Sequence, residues 1–542
     1  MPFFAKEHSD IPTQDILSWH FDNPQYDIDK PIYLDAANPE RKISAREGKS
    51  LIRKIAAGLR KHGLKRGDCV VVASFNDLYY PILALGIIAA GGVFTGSNPG
   101  YTAYEIAHHI NITHAKFVIC QPEIVKPILD AKHDVPKSNI FMFDTDGQAI
   151  PSGFQSWTTL LNQGEADWHR FNDLETAANT TAMLLFSSGT TGLPKAVQLS
   201  HQNLVAQHTL VLENQPVPYE VRRLIALPLF HAASTPVGVI TPFRAGQAAY
   251  IMRRFELEPF LAAIERYKIT ELGIVPPIAV AIIMSPISKK YSLRSIRKAA
   301  CGAAPLGKGP QARLKALLAL EAPFTQVWGM TETSCVASMF GAFEHDDTGS
   351  VGRMLPNMDV KLVDDDGKDI TAYGRRGEIC IRGPLVSKGY FENPEANSRD
   401  WDSERFFHTG DIGYCDEKTG LWYIVDRKKE LIKVRGFQVA PAELEATLLS
   451  HPSIIDSAVI GVKVSTNSEE PIEIPRAYVI LRPGAPKPTE QEVIDYCAER
   501  LAKYKKLEGG VAFVEMIPKT ASGKILKRVL REQAQREMGA KL

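Results

Sequence analysis

A loop rich in hydroxyl groups follows an apolar run in the stretch LLFSSGTTGLPKAV, residues 184–197. Its backbone N–H and side-chain O–H groups can converge on one anion beside a lysine, which suits phosphate. It is not a Walker A loop, because Pro194 replaces the second glycine of that motif and Ala196 its hydroxyl residue. A mobile turn after a strand is the alternative. The candidate phosphate-binding residues are Ser187, Ser188, Gly189, Thr190, Thr191, Gly192 and Lys195.

A second polar cluster, QVWGMTETS, occupies residues 326–334. Trp328 offers a flat ring that can stack on a base, and Thr331 offers a hydroxyl for a phosphate. Glu332 offers a carboxylate, which is the kind of ligand that Mg²⁺ prefers. The alternative interpretation is a helix N-terminus with a threonine and an acid in its first turn.

A third cluster, FHTGDIG, places Asp411 at a turn flanked by glycines in residues 407–413. An ionised carboxylate at this turn can accept hydrogen bonds from two vicinal hydroxyls, as acidic residues do on ribose. An Asx turn is the alternative. The three clusters together supply groups for a phosphate, a base and a sugar.

Size and composition predict a large soluble protein of two or more domains, since the chain has 542 residues of which 44% are apolar. Lys+Arg 63 against Asp+Glu 62 gives a net charge of +1, which argues against nucleic acid as a partner. The seven cysteines are scattered and form no Cys-x-x-Cys pair, which indicates a reducing compartment. Because no apolar run reaches the roughly 20 residues of a membrane span, we predict no transmembrane helix and no signal peptide.

The last three residues, Ala540-Lys541-Leu542, are close to the Ser-Lys-Leu address that the peroxisomal import receptor reads. Their position at the extreme C-terminus strengthens this short signal, provided that the tail is exposed. We therefore expect a peroxisomal protein, with the cytoplasm as the alternative. The sequence does not indicate an oligomeric state.

The order of predicted elements indicates an α/β fold. Between about residues 45 and 330, β-rich runs such as CVVVASF (69–75) and TAMLLFSS (181–188) alternate with helical patterns, which is typical of layered α/β sheets. After about residue 350, strands joined by tight turns predict a β-barrel-like section. A basic connector near Asp426 then precedes a smaller α+β domain. We predict a large N-terminal domain over residues 1–427 and a small mobile C-terminal domain over residues 428–542.

These clusters, in this order, resemble the adenylate-forming superfamily of acyl-CoA synthetases, 4-coumarate:CoA ligases, luciferases and the adenylation domains of peptide synthetases. The resemblance runs from about residue 40 to 530 and also rests on CGAAPLG (301–307), VDRKKELIKVRGFQVAPAELE (425–445) and PKTASGK (518–524). It implies an ATP-dependent acid:CoA ligase, which activates a carboxylic acid as acyl-AMP with release of pyrophosphate and then transfers the acyl group to CoA. The implied cofactors are ATP, Mg²⁺ and CoA.

The resemblance also assigns the contacts with ATP. The loop of residues 187–195 would hold the β- and γ-phosphates, and Lys524 would contact both the acyl carboxylate and the α-phosphate region. Thr331 would bond the α-phosphate, and Glu332 would ligate Mg²⁺. Many relatives carry tyrosine in place of Trp328. The adenine and ribose would contact Gly302, Ala303, Ala304, Trp328, Gly329, Asp411 and Arg427.

For thioester formation, the resemblance implies that the C-terminal domain rotates and presents a different face to the site. Lys429 would lie near the pivot, while Lys433, Arg435 and Gly436 would belong to the face that serves the thiol. A solvated linker is the alternative for these lysines. For Lys428 we keep that interpretation.

His231 stands where amino-acid-activating relatives usually carry an aspartate for the substrate ammonium. Because residues 232–238 contain no replacement carboxylate, we expect an acid without an α-amino group. His231 is expected to shape the junction of acyl pocket and thiol tunnel rather than act as a general base. The predicted walls, residues 274–278, Gly302 and 335–336, carry no charge, which favours a medium-chain fatty acid, an aryl acid or the acyl tail of a secondary metabolite over a dicarboxylate.

Three other functions stay open on the sequence alone. They are a luciferase-like oxygenase, a stand-alone adenylating enzyme that loads a carrier protein, and a non-catalytic nucleotide-binding sensor. The sequence offers no feature that favours the oxygenase, and the sensor is a weak alternative because Glu332, Asp411, Lys433 and Lys524 are all present.

Overall fold

The computed structural model describes residues 2–187, 194–428, 430–434, 437–464, 472–501, 503–520 and 523–539. Two seven-stranded sheets form the larger part of the molecule. In each of them neighbouring strands are parallel except for one antiparallel pair at an edge. The predicted layered α/β fold is confirmed, since helices pack against the sheets and the central strands of the second sheet are buried on both faces.

The first sheet supplies the floor of the site described below. In spatial order its strands are Phe324–Gln326, Lys298–Cys301, Glu271–Ile274, Arg222–Ile225, Ala248–Ile251, Pro31–Asp35 and Lys42–Ser44.

The second sheet carries the two strands that flank the hydroxyl-rich loop. In spatial order its strands are Gln155–Ser156, Ile140–Met142, Phe117–Cys120, Cys69–Ala73, Val93–Ser97, Thr181–Ser187 and Lys195–Ser200.

Between residues 328 and 427 the strands pair in antiparallel fashion, as the tight turns predicted. A three-stranded sheet consists of Trp328–Met330, Cys335–Met339 and Arg353–Met354. A four-stranded sheet consists of Asp359–Val363, Gly377–Arg382, Phe407–Cys415 and Trp422–Arg427. The C-terminal part contains the pair Ile432–Val434 and Phe437–Val439 and the sheet Ile454–Val464, Ile472–Leu481 and Val511–Phe513.

Helices pack against these sheets, and their ends follow local sequence signals. The helix Ala45–Lys61 starts with a capping box between Ser44 and Glu47, and Gly63 follows its end with φ +94°. Within the described residues, no helix is long and apolar enough to cross a membrane. The α-helices are Ile16–Phe21, Ala45–Lys61, Tyr80–Ala89, Ala103–Ile112, Val125–Asp130, Leu174–Asn179, His201–His208, Thr241–Ala245, Leu257–Tyr267, Pro276–Met284, Lys308–Lys315, Pro394–Asp400, Pro441–Leu449, Glu490–Ala498 and Lys527–Gly539.

Candidate active site

Two adjoining cavities lie between the first sheet, the antiparallel section and a turn of the C-terminal part. The larger one, about 470 Å³, is lined largely by charged and hydroxyl groups and is called the polar cavity. The smaller one, about 230 Å³, is lined mainly by aliphatic side chains and is called the apolar cavity. The residues that line both cavities are His231, Ala303, Gly329, Met330 and Thr331. This shared lining makes the two cavities one continuous site.

Lys524 lines the polar cavity from a tight turn of the C-terminal part. The turn is closed by hydrogen bonds between Thr520 and its neighbours, with the N–H of Gly523 donating to the Thr520 carbonyl at 2.8 Å. Gly523 has φ +82° and lies so close to Pro277 that an added Cβ would be 2.8 Å from Pro277 Cγ. Burial, and then the charge of Arg427, lower the pKa of Lys524 to about 8. The ammonium is therefore retained at neutral pH.

Glu332 is buried in a short 3₁₀ turn, Thr331–Thr333, and also lines the polar cavity. The Tyr390 hydroxyl donates to its Oε1 at 2.8 Å. Burial, and then the Glu332 carboxylate, raise the pKa of Tyr390, so this hydroxyl stays protonated and keeps donating. The carboxylate is thereby held in one orientation toward the cavity.

The two ends of the hydroxyl-rich loop meet at the polar cavity. Ser187 and Lys195 are cross-strand partners, and both line this cavity. Lys195 Nζ lies 3.1 Å from Asp400 Oδ2 and 4.2 Å from the centroid of the Tyr390 ring. Lys195 therefore lies beside Tyr390, the hydrogen-bond partner of Glu332.

Asp411 lies directly behind the lining of the polar cavity, where two donors fix its carboxylate. The indole N–H of Trp328 donates to Oδ2 at 2.7 Å, and Arg427 Nε lies 3.2 Å from Oδ1. Arg427 is opposite Asp411 in the antiparallel sheet, so the backbone register itself brings the pair together. Because Asp411 is 5% exposed, its two oxygens are oriented before any ligand arrives.

His231 stands at the junction of the two cavities. Its Nδ1 accepts a hydrogen bond from the N–H of Ala233 at 3.1 Å, which leaves the ring proton on Nε2. Burial, and then the charge of Lys524, lower the pKa of His231 to about 4. A neutral imidazole with so low a pKa is a weak proton acceptor, in keeping with the expectation that His231 shapes the junction.

Gly329 is required by the backbone around it. A Cβ at this position would lie 1.7 Å from the carbonyl oxygen of Cys335, across the hairpin. Ser334 and Cys335 on the other strand have positive φ, +59° and +131°. No other residue than glycine fits the hairpin in this conformation.

Two residues of the predicted glycine-alanine segment, residues 302–304, line the cavities. Ala303, with φ +70°, lines both of them, and Gly302 lines the apolar cavity. Ala304 belongs to the lining of neither cavity. Contact of these three residues with adenine stays a prediction.

Lys428 corrects the interpretation from sequence. It follows the strand Trp422–Arg427 directly, so the basic stretch begins inside a sheet rather than in a solvated connector. Lys428 Nζ lies 3.0 Å from Glu378 Oε2, and both residues line the polar cavity. His408 lies on the other side of Glu378, whose hydrogen bond raises the pKa of His408. The sequence gives no sign of this pair, because Lys428 and Glu378 are 50 residues apart in the chain.

Several predicted residues cannot be placed. The backbone of Lys433 lies in the strand Ile432–Val434, but its side chain is not described. Lys429 and the tripeptide 540–542 lie outside the described residues. The other predicted site residues outside the described part are Ser188, Gly189, Thr190, Thr191, Gly192, Arg435 and Gly436.

The apolar cavity has the predicted aliphatic walls and one feature that contradicts the prediction. Val275, Gly302 and Val336 line it as expected. Three charged residues line it as well, so the expectation of an uncharged pocket is wrong. They are Arg223, Glu271 and Lys298.

Two further residues of the polar cavity escaped the sequence analysis. Tyr390 and Asp400 come from a segment without a recognisable motif, and they reach the site through pairing of Tyr390 with Val197 and through the helix Pro394–Asp400. A buried tyrosine beside an acid was the only signal that could have pointed to them.

Comparison with known proteins agrees with this geometry. The chain matches the AMP-binding enzyme family over residues 22–391 and the AMP-binding enzyme C-terminal domain over residues 443–524. The phenylacetyl-CoA ligase epaB of Aspergillus niger is 52% identical over 538 residues, which cover 98% of this chain and 99% of that protein. The acyl-CoA ligase azaF of Aspergillus niger is 52% identical over 535 residues, which cover 97% of this chain and 100% of that protein.

A solved structure has the same fold along the whole chain. ATP-bound MatB from Rhodopseudomonas palustris superposes with a TM-score of 0.81 at 28% identity, covering 96% of this chain and 98% of that one. The family match spans more than half of the chain, and the similarity to the two ligases spans nearly all of it. The protein therefore belongs to the AMP-binding enzymes, the adenylate-forming superfamily that its motifs predicted.

Proposed function

We propose that this protein is an AMP-forming acid:CoA ligase. The carboxylate of an acid attacks the α-phosphorus of ATP, pyrophosphate leaves, and the thiol of CoA then displaces AMP from the acyl-AMP. The family and the ligase names of relatives with 52% identity support an acid–thiol ligase.

The observation that carries this proposal is the junction of the two cavities. An acid whose tail occupies the apolar cavity would present its carboxylate at the shared lining formed by His231 and Thr331. Lys524 lines the polar side of the same junction. One cation thus faces both the entering carboxylate and the phosphate that the carboxylate attacks.

The electrostatics of the junction suit this reaction. Negative charge accumulates when a carboxylate approaches a phosphate, so a fixed cation in a desolvated site contributes more than a base would. Lys524 supplies the cation, since its pKa of about 8 keeps it protonated at neutral pH. His231, with a pKa of about 4, adds no competing base.

Glu332 fits the role of a Mg²⁺ ligand. Among the described residues no group of three or more His, Cys, Asp or Glu side chains could hold a metal ion alone. Mg²⁺ bound with a nucleotide needs only one or two carboxylates, since phosphate oxygens and waters complete its shell. Glu332 provides one oriented carboxylate in the polar cavity. When bound, Mg²⁺ neutralises phosphate charge.

The acid that we propose is a medium-chain fatty acid or an aryl acid. The aliphatic lining of the apolar cavity suits either tail. An α-ammonium would have no carboxylate beside His231, because the one carboxylate of this cavity, Glu271, is already paired with Arg223 at 2.5 Å. One relative acts on phenylacetate by its name, which agrees with an aryl acid.

The test is mass-spectrometric detection of acyl-AMP and acyl-CoA after incubation with ATP, Mg²⁺, CoA and panels of fatty, aryl and amino acids. We expect acyl-CoA from some fatty or aryl acids, and acyl-AMP alone when CoA is omitted. Acyl-AMP that forms a thioester only on a phosphopantetheinyl carrier protein would identify a carrier-loading enzyme instead. No adenylate from any acid would contradict the proposal and favour the sensor.

A further inference from the structure

A row of charged side chains crosses three neighbouring strands of the first sheet. Arg223 is the register partner of Glu271, and Glu271 is the partner of Lys298. All three line the apolar cavity. We call Arg223, Glu271 and Lys298 the charged row. Because the three strands are parallel and adjacent, their backbone pairing fixes the relative positions of the three residues.

The charges of the row do not cancel. Arg223 pairs with Glu271 at 2.5 Å, and its other guanidinium nitrogen donates to Gln247. Both side chains of the pair are largely buried, with 10% and 12% exposure. Lys298 makes no hydrogen bond or ion pair with any described residue, and its influence on Glu271 is through charge alone. One ammonium group in the cavity therefore has three donors without an acceptor.

An open path connects Lys298 with the reactive junction. Residues two apart on a strand face the same side, so Gly273 and Ala300 lie on the face of Glu271 and Lys298, one step closer to Gly302. A Cβ at Gly273 would meet no atom within 4 Å, although this glycine lies inside a sheet. The small residues leave room for a substrate chain between the junction and the charged row.

We propose that the acid activated by this enzyme carries an oxygen acceptor at the end remote from its carboxylate, and that Lys298 donates a hydrogen bond to that oxygen. Lys298 is partly buried, and a hydroxyl, carbonyl or second carboxylate oxygen of the bound acid would supply the acceptor that its ammonium lacks among the described residues. Glu271 of the Arg223–Glu271 pair is the register partner of Lys298, and its carboxylate acts on the ammonium through charge. This inference rests on the proposed ligase function and narrows its substrate class.

The test compares matched acids in the adenylation reaction of the full chain. The series are octanoate, ω-hydroxyoctanoate and octanedioate, and phenylacetate with para-hydroxyphenylacetate. We expect kcat/KM for at least one polar-ended acid to exceed that of its apolar partner by about tenfold or more, because only the polar-ended acid gives the Lys298 ammonium an acceptor in the cavity. The hydroxy acid and the diacid separate a neutral acceptor from an anionic one.

Lys298→Met keeps the length of the side chain and removes the donor. We expect it to abolish the preference, so that the ratio of kcat/KM for the polar-ended acid to kcat/KM for its apolar partner falls to about one. The exposed Lys308→Met is the matched control and should keep the preference. In a second variant, Gly273→Val should block the path, so that the longer polar-ended acids lose activity.

Two outcomes would overturn the inference alone. They are acyl-AMP formation without preference in either series, and a preference that survives Lys298→Met. No acyl-AMP from any acid would instead overturn the proposed function on which the inference rests.

Discussion

The polar cavity and the apolar cavity hold their charges in different ways. In the polar cavity each key carboxylate is held by a partner, Glu332 by Tyr390 and Asp411 by Trp328. In the apolar cavity the Glu271 carboxylate is already paired with Arg223, and Lys298 has no partner among the described residues. The polar cavity is thus preorganised for one fixed ligand, whereas the apolar cavity leaves one donor to be satisfied by the tail of the acid.

The largest effect is expected at Lys524, which the polar cavity shares with the junction. Lys524→Ala should reduce acyl-AMP formation about a hundredfold to a thousandfold, since it removes one preorganised charge from the reacting phosphate. Thioester formation from supplied acyl-AMP should change much less. The two half-reactions are measured separately, by pyrophosphate release and by acyl-CoA formation.

Lys519→Ala is the control for this substitution, because Lys519 lies in the same segment but is paired with Asp456 at 2.6 Å. It should leave both half-reactions near the parent rate. Equal losses of the two half-reactions in Lys524→Ala would reject the role assigned to Lys524. The resemblance predicts the opposite bias for Lys433→Ala.

A smaller effect is expected at Trp328 and Asp411, which are predicted to contact the adenine and ribose of ATP. Trp328→Phe keeps an aromatic ring but removes the N–H that orients Asp411, so KM for ATP should rise about tenfold while kcat changes little. Steady-state kinetics of adenylation provide the measurement. Trp19→Phe is the control, since the buried indole N–H of Trp19 has no hydrogen-bond partner among the described residues. A lower kcat with an unchanged KM in Trp328→Phe would contradict a role in binding.

The smallest expected effect concerns the pH dependence of kcat/KM for adenylation. Lys524 loses its proton above a pKa of about 8, so kcat/KM for adenylation should fall about tenfold per pH unit beyond that value. Because the pKa of Lys524 lies below that of a free lysine in water, kcat/KM for adenylation starts to fall at a lower pH than the titration of a free lysine would predict. His231, with a pKa of about 4, should add no second limb between about pH 5 and 8.

Lys524→Arg provides the control for the profile, because arginine keeps its charge throughout this range. Its residual activity should lack the alkaline limb. If the limb persists in Lys524→Arg, a group other than Lys524 titrates. Pyrophosphate release is the readout, since it does not involve ionisation of the CoA thiol.

The two cavities also differ in how many of their residues could be predicted from the sequence. Thr331, Glu332 and Asp411 were found because each lies within a short motif whose spacing carries its chemistry. The charged row was missed because its members stand at or next to the start of three separate strands, each of which looks like an ordinary buried strand with a polar start. Their register is set by tertiary pairing, and a single sequence contains no direct sign of it.

The fold was easier to predict than the site for the same reason. Alternating apolar strands and helices reflect local periodicity, and the layered architecture follows from it. Lys428 shows the limit of such reasoning. Its charge suggested a solvated linker, while the structure places its ammonium 3.0 Å from Glu378 Oε2.

Val275 lies between the apolar cavity, which is proposed to bind the acid, and the turn that carries Lys524. This residue lines the apolar cavity, and its Cγ2 lies 3.5 Å from the position that a Cβ on Gly523 would occupy, next to Lys524. An acid that displaces Val275 would therefore also displace the turn that carries Lys524. We therefore expect poorly fitting acids to bind yet react slowly, so that the enzyme selects its substrate through kcat as well as through affinity.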